Sequence, residues 1–274
     1  MKQWKKQLSA ALCAALLLGS VPMPALAEEN EEYDLSDIPG VIIEDPRIDP
    51  QEWNFALSLC DLDPELIKLA NKECLLSSTY EPSSKTKMKL RAAPGAGTMY
   101  LQSECAEALA ELFAGAEEAG YKLYLKSAYR AYKTQKTMYN NRLERNNGKD
   151  DGWVSKPGAS DHQTGLGCDV VPGSWKDKSM NSNMASTPEC QWMAEHCYEY
   201  GFVIRYPEDK QDITEINYEP WHLRYVGKEV ARYIWRNGLC LEEFHEQLQA
   251  AIDAYLAAGG DARRVEDLIQ TSAE

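Results

Sequence analysis

The sequence contains no CxxC pair, which argues against a zinc site built on thiolates. It is short of positive charge, with 29 Lys+Arg against 43 Asp+Glu and a net charge of −14. Nucleic-acid binding needs a basic face, and docking on an anionic membrane surface needs a polybasic one. Neither is expected, and nothing implies a stable protein partner. Beyond the first twenty residues no apolar run approaches the roughly 20 residues of a membrane-spanning helix. No internal repeat is visible, which excludes solenoids and propellers. Histidine is also scarce: any imidazole-based site must draw on His162, His196, His222 and His245.

What is present begins with a leader. Lys2, Lys5 and Lys6 precede an apolar run over residues 8–19, and Ala25-Leu26-Ala27 follows. That is the pattern of a secretory signal peptide cleaved after Ala27. An N-terminal membrane anchor remains the alternative if the signal is uncleaved. The expected compartment is extracytoplasmic, and the 247 residues that follow carry a net charge of −17. Residues 28–52 hold ten acids and one base, Arg47, broken by Pro39, Pro46 and Pro50. This composition reads as an extended acidic spacer. The expected organisation is a signal over 1–27, a spacer and N-terminal extension over 28–73, a domain over 74–246 and a helical extension over 247–274. Seven cysteines follow the leader, and secretion permits disulfides. Cys60 with Cys74 is the favoured pair. Cys190 and Cys197 share a predicted helix, where seven residues span about 10 Å, too far for the roughly 7 Å limit of a disulfide.

Helical spacing of Ala106, Leu109, Leu112, Phe113 and Ala116 predicts a helix over 103–119, stopped by Gly120. Alternation predicts a strand over 121–128. Further helices are expected over 132–144, 188–200, 227–236 and 241–258, and strands over 166–171 and 202–206. Residues 81–97 read as a loop, and 41–43 as a short strand at most. Helices and strands mix without βαβ alternation, so the expected class is α+β, a mostly antiparallel sheet flanked by helices.

Chemistry concentrates in two stretches. Ser160-Asp161-His162-Gln163-Thr164-Gly165-Leu166-Gly167-Cys168-Asp169 puts a histidine and an aspartate seven positions apart, and Glu219-Pro220-Trp221-His222 adds a second histidine three after a glutamate. Catalytic zinc takes three protein ligands and keeps one position for water, and an unligated carboxylate beside that water serves as a general base. His162, Asp169 and His222 are the candidate ligands and Glu219 the candidate base. The bland alternatives are a surface carboxylate and an ordinary loop acid, and spacing alone leaves both open. His196 and His245 sit on predicted helices and read as ordinary helix residues. Arg130, at the end of the strand Tyr121 begins, offers a planar fork for a carboxylate or oxyanion. Gln135, Ser160 and Tyr206 are further polar candidates for the same pocket.

These motifs, with Ser127-x-Tyr129-Arg130 and Glu219-Pro220-Trp221-His222-Leu223-Arg224-Tyr225-Val226-Gly227, closely resemble the VanY-type D-alanyl-D-alanine carboxypeptidases, zinc peptidases of the M15B group. The resemblance implies the fold shared with the Hedgehog amino-terminal signalling domain. It implies Zn2+ on His162, Asp169 and His222, with Glu219 as base. It further implies Arg130, Gln135, Ser160 and Tyr206 around the terminal carboxylate of a peptidoglycan stem peptide ending in a D-amino acid, with Arg130 also acting in catalysis. The implied activity is D,D-carboxypeptidase. An L,D-carboxypeptidase acting on tetrapeptide stems and a non-catalytic, zinc-bearing wall-binding module are the rivals. Gly167 departs from the family, which usually has alanine there, and the missing methyl is expected to loosen the strand.

Overall fold

The computed structural model describes residues 59–269. The leader at 1–27, the acidic spacer at 28–52 and the strand considered at 41–43 lie outside the described residues. The elements are β1 (Thr86–Lys87), β2 (Tyr100–Leu101), α1 (Ser103–Glu118), β3 (Leu123–Ser127), α2 (Tyr132–Arg145), β4 (Gly167–Pro172), α3 (Pro188–His196), β5 (Phe202–Ile204), β6 (His222–Tyr225), α4 (Lys228–Asn237) and α5 (Leu241–Ala257). Short 3-10 turns and one helical turn at Gln211–Thr214 connect them. The main sheet runs β3-β4-β6-β5 with every pairing antiparallel. β1 and β2 form a separate two-stranded ladder. The α+β class is the expected one.

The helices follow their apolar stripes. Cys105, Ala106, Leu109, Leu112, Phe113 and Ala116 of α1 are buried, and they pack on Leu123, Leu125, Val170 and Val171 of the sheet. Complete burial of one such large side chain is worth about 1.5–3 kcal/mol. α1 ends where Gly120 turns left-handed, with the Tyr121 amide donating to Ala116 O at 2.8 Å. A second core joins Leu59, Ile67 and Leu69 to Val230 and Ile234 of α4 and Phe244, Leu248 and Ile252 of α5. Residues 59–73, grouped with the acidic spacer by composition, thus supply buried side chains here. α5 likewise runs unbroken through position 247, the expected start of a separate extension. Among the described residues, no helix is long and apolar enough to cross a membrane.

Three local expectations are corrected. β6 carries no alternation because all four residues are buried, so a period-two signal has no exposed face to alternate with. The expected loop at 81–97 contains β1, whose two exposed residues pair with β2. Cys74 is a free thiol, so the favoured Cys60–Cys74 bridge is not formed; its side chain packs on the second core instead. Cys190 and Cys197 are both free and buried.

Candidate metal centre and catalytic cleft

Register builds the centre. β4 and β6 pair with Asp169 opposite His222, and Asp169 also stands opposite Ser127 of β3. His162 comes from the 3-10 turn Asp161–Thr164 that leads into β4. Gly165 closes that turn at φ +72°, a left-handed conformation that glycine adopts without a side-chain clash. The turn is bonded to the end of β3 twice: His162 Nδ1 lies 2.8 Å from Ala128 O, and the Arg130 amide donates to His162 O at 2.9 Å. A second turn brings Glu219 beside His222, whose amide donates to Glu219 O at 3.1 Å.

His162 Nε2 is 3.4 Å from Asp169 Oδ2, and His222 Nδ1 is 3.6 Å from Asp169 Oδ1. One donor atom from each of the three residues can be chosen so that all lie within 4.8 Å of one another. Ligands about 2.1 Å from a tetrahedral zinc stand about 3.4 Å apart. The separations and the two-imidazole, one-carboxylate donor set therefore fit that ion. The hydrogen bond at His162 Nδ1 leaves Nε2 as the nitrogen that faces Asp169, the orientation a second partner imposes on a metal-binding histidine. Glu219 Oε2 lies 3.2 Å from His222 Nδ1, beside the donor atoms but outside the triad.

Burial and charge act against each other here. Burial works to raise the Asp169 carboxyl, but His162, His222 and Arg130 outweigh it and hold Asp169 well below the ordinary carboxylate range. Burial lowers His162, and the Arg130 charge adds to the effect, which favours the neutral imidazole that ligates metals. Burial would lower His222, yet its bond to Glu219 and the charge of Asp169 carry it upward. Glu219 is raised, chiefly because it is buried.

A cleft of about 400 Å³ opens onto these groups. Arg130, Gln135, Ser160 and Tyr206 all line it, as the sequence suggested. Arg130 Nη2 stands 4.0 Å from Asp169 Oδ2. Its fork is set by Gln135 Oε1, which accepts from Nη1 at 2.9 Å, and by Ser127 Oγ, which accepts from Nη2 at 3.0 Å. The Gln135 side-chain amide also donates to Ser155 O at 2.7 Å, so one end holds Arg130 and the other anchors Gln135 itself. The Tyr206 ring meets His222 edge-on at 4.9 Å. Trp153 stacks on Trp221 at 6.4 Å and makes one wall.

Sequence reasoning gave no role to Asp161, Arg205, Arg224 or Glu242. All four are buried. Asp161 Oδ1 accepts from Arg224 Nη1 at 2.7 Å, and Arg205 is bonded to both oxygens of Glu242. Arg224 also donates to Leu66 O and Lys68 O. Burial would raise Asp161, but Arg205 and Arg224 hold it below its ordinary value. Arg205 and Arg224 carry one sequence signal, a charge inside a largely apolar stretch; Asp161 and Glu242 sit among polar neighbours and carry none. Gly167 corrects a further expectation: a Cβ there would stand 2.9 Å from Asp161 Cβ and 3.0 Å from its carbonyl carbon. The bare glycine is occupied space rather than slack. His196 pairs with Glu199 and His245 with Ile67 O, both away from the cleft.

A family model described as VanY, D-alanyl-D-alanine carboxypeptidase, matches residues 98–228, a span holding the triad, Glu219 and Arg130. The protein YodJ of Bacillus subtilis (strain 168) is 39% identical over 191 residues, covering 68% of this chain and 70% of that protein. The chain belongs to the VanY family. Among solved structures this VanY-family chain is similar to the LdcB LD-carboxypeptidase, with a TM-score of 0.62 and 40% identity over 67% of this chain and 87% of that one. It is also similar to a mutant of the vancomycin resistance D,D-pentapeptidase VanY from a VanB-type cassette, solved with Zn(II). That match has a TM-score of 0.55 and 28% identity over 66% of this chain and 98% of that one. As a VanY-family member the chain is a hydrolytic enzyme, a peptidase of carboxypeptidase type.

Proposed function

We propose that this enzyme is a zinc-dependent carboxypeptidase that removes the terminal D-alanine from peptidoglycan stem peptides outside the cytoplasm. One observation carries the reading: three donor atoms at zinc-like separations, with Glu219 Oε2 3.2 Å from one of them, in a cleft that also holds Arg130. The leader-type segment at 1–27 supports the location. The VanY structure that holds Zn(II) supports the metal.

A zinc ion held by His162, Asp169 and His222 would acidify a water to a pKa of about 7 and polarise the scissile carbonyl. The rest is done by the chain. Glu219 Oε2 takes the proton from the attacking water and returns it to the nitrogen of the departing D-alanine. Its burial keeps that proton affinity above that of an exposed glutamate. Arg130 presents the donors not taken by Gln135 and Ser127 to the free chain end or to the oxyanion as it forms. Ser160 and Tyr206 line the same cleft and add hydroxyl groups. Trp153 and Trp221 give the cleft an apolar wall.

The decisive pair of variants is Glu219→Ala and His222→Ala. The first is expected to keep zinc and lose turnover by about 10²–10⁴; the second should lose both metal and activity. Near-normal hydrolysis by Glu219→Ala removes Glu219 from its role. Zinc bound by the unmodified enzyme with no wall peptide cleaved would favour the non-catalytic module instead.

D,D specificity, acting on pentapeptides, is the reading that the family resemblance implies. The motifs themselves do not distinguish it from L,D, because both substrates end in a D-residue with a free carboxylate. A second reading, L,D specificity on tetrapeptides, is favoured by a specific comparison: the LD-carboxypeptidase shares 40% identity with this chain, the D,D-pentapeptidase 28%. Met138, Met180 and Asn181 also line the cleft. Mass spectrometry of digests of defined pentapeptide and tetrapeptide stems separates them, by which stem loses alanine first.

A further inference from the structure

Among the described residues, four buried side-chain polar atoms lack a hydrogen-bond partner, and three of them meet at one point: Asp161 Oδ2, Arg205 Nε and His222 Nε2. Asp161 Oδ2 is 4.0 Å from His222 Nε2 and 2.8 Å from Arg205 Nε. Asp161 Oδ2 and Arg205 Nε form an ion pair with each other, whereas His222 Nε2 has nothing within hydrogen-bonding distance. A buried polar group left unpaired costs about 1–3 kcal/mol, so that nitrogen calls for a reason. The other face of His222 supplies one. Its Nδ1 points at Asp169 and Glu219. A neutral imidazole has one protonated nitrogen and one free lone pair. If Nδ1 gives its lone pair to a metal, the proton resides on Nε2 and is aimed at Asp161.

We propose that Asp161 is a positioning residue for the metal centre, accepting the Nε2–H of His222 on Oδ2 and so fixing the tautomer and the angle of that ligand. The inference rests on the metal reading above. Closing the 4.0 Å gap by about 1 Å makes an ordinary charge-assisted bond. The carboxylate is itself clamped from behind. Arg224 holds Oδ1 at 2.7 Å and is anchored on the carbonyls of Leu66 and Lys68. Arg205 flanks Oδ2 and is held by Glu242 of α5 at 2.8 and 2.6 Å. Through these contacts the segment ahead of β1 and the last helix each hold one of the two arginines that flank Asp161. The competing account is that Asp161 merely neutralises two buried arginines.

Two measurements separate the accounts, and neither depends on turnover. In the unmodified, zinc-loaded chain, nitrogen-resolved NMR of the histidine side chains should show the His222 proton on Nε2, shielded from exchange with solvent. A proton on Nδ1, or an Nε2 proton that exchanges freely, overturns the proposal. Zinc affinity is then measured by chelator competition in Asp161→Asn and Glu242→Gln. The amide has a single oxygen for three donors, so Asp161→Asn should weaken zinc about 10–100-fold. Glu242→Gln disturbs the arginine network but leaves Asp161 in place, and should change affinity less than about threefold. Equal losses in the two variants, or an Asp161→Asn protein within twofold of the original, favour neutralisation alone. Should Asp161→Asn fail to fold, the NMR result on the unmodified chain decides. An unmodified chain that binds no zinc overturns the metal reading itself, and this inference with it.

Discussion

Replacing Gly167 by alanine should destabilise this enzyme, although alanine is the residue the family usually carries there. Two effects compete. Alanine restricts the unfolded chain, which by itself stabilises by about 0.4–1 kcal/mol where the native backbone tolerates it. Against that stands the space. The added methyl would sit 2.9 Å from Asp161 Cβ, 3.0 Å from Asp161 C and 3.2 Å from Asp161 O. These are backbone and near-backbone atoms, so no rotamer change relieves the contact, and the turn Asp161–Thr164 must lift off β4. Overpacking of this kind costs about 1–3 kcal/mol. The net expectation is a loss of about 1–2 kcal/mol, or about 2–8 °C in Tm for a domain of this size. The turn carries His162, so zinc affinity should fall as well. Thermal unfolding of the metal-free and zinc-loaded proteins, with a chelator titration, measures both. A Gly167→Ala protein as stable as the original, with unchanged zinc binding, would refute the steric argument and restore the view that the glycine is slack.

Arg130→Lys should fold normally yet lose kcat/KM by about 10–150-fold, the equivalent of the 1.5–3 kcal/mol of a charged hydrogen bond, because a single ammonium cannot replace the fork held by Gln135 and Ser127; steady-state kinetics on a stem peptide reads it. His245 predicts a pH effect away from the metal. Burial pushes its pKa from 6.5 down to about 4, while the imidazole sits 2.6 Å from Ile67 O. The folded state therefore binds fewer protons than the unfolded state between those values. Stability is full above about 6.5 and is lost as pH falls toward about 4, by up to about 3 kcal/mol. Urea midpoints at pH 7 and pH 5 should differ by less in His245→Gln than in the unmodified protein, and an unchanged difference would count against the assignment.

The amphipathic helices were legible before any coordinates, because their signal is local. Leu109, Leu112 and Phe113 announce the buried face of α1 from spacing alone, and the glycines at 120 and 201 mark where elements end. The candidate ligands, the base and Arg130 were likewise named from residue types and order, since a metal site needs particular donor atoms whatever the fold around them. Tertiary structure decided what those donors have next to them. Only the antiparallel register of β4 on β6 sets Asp169 opposite His222. β6 left no pattern because a strand buried on both faces has nothing to alternate. The bonds from Asp161 to Arg224, 63 positions on, and from Arg205 to Glu242, 37 positions on, were invisible for the same reason. Periodicity reports which side of a segment meets water; it carries no information on which buried charge meets which, because that partner is chosen by chain folding and by the high cost of leaving a charge unpaired in an apolar interior.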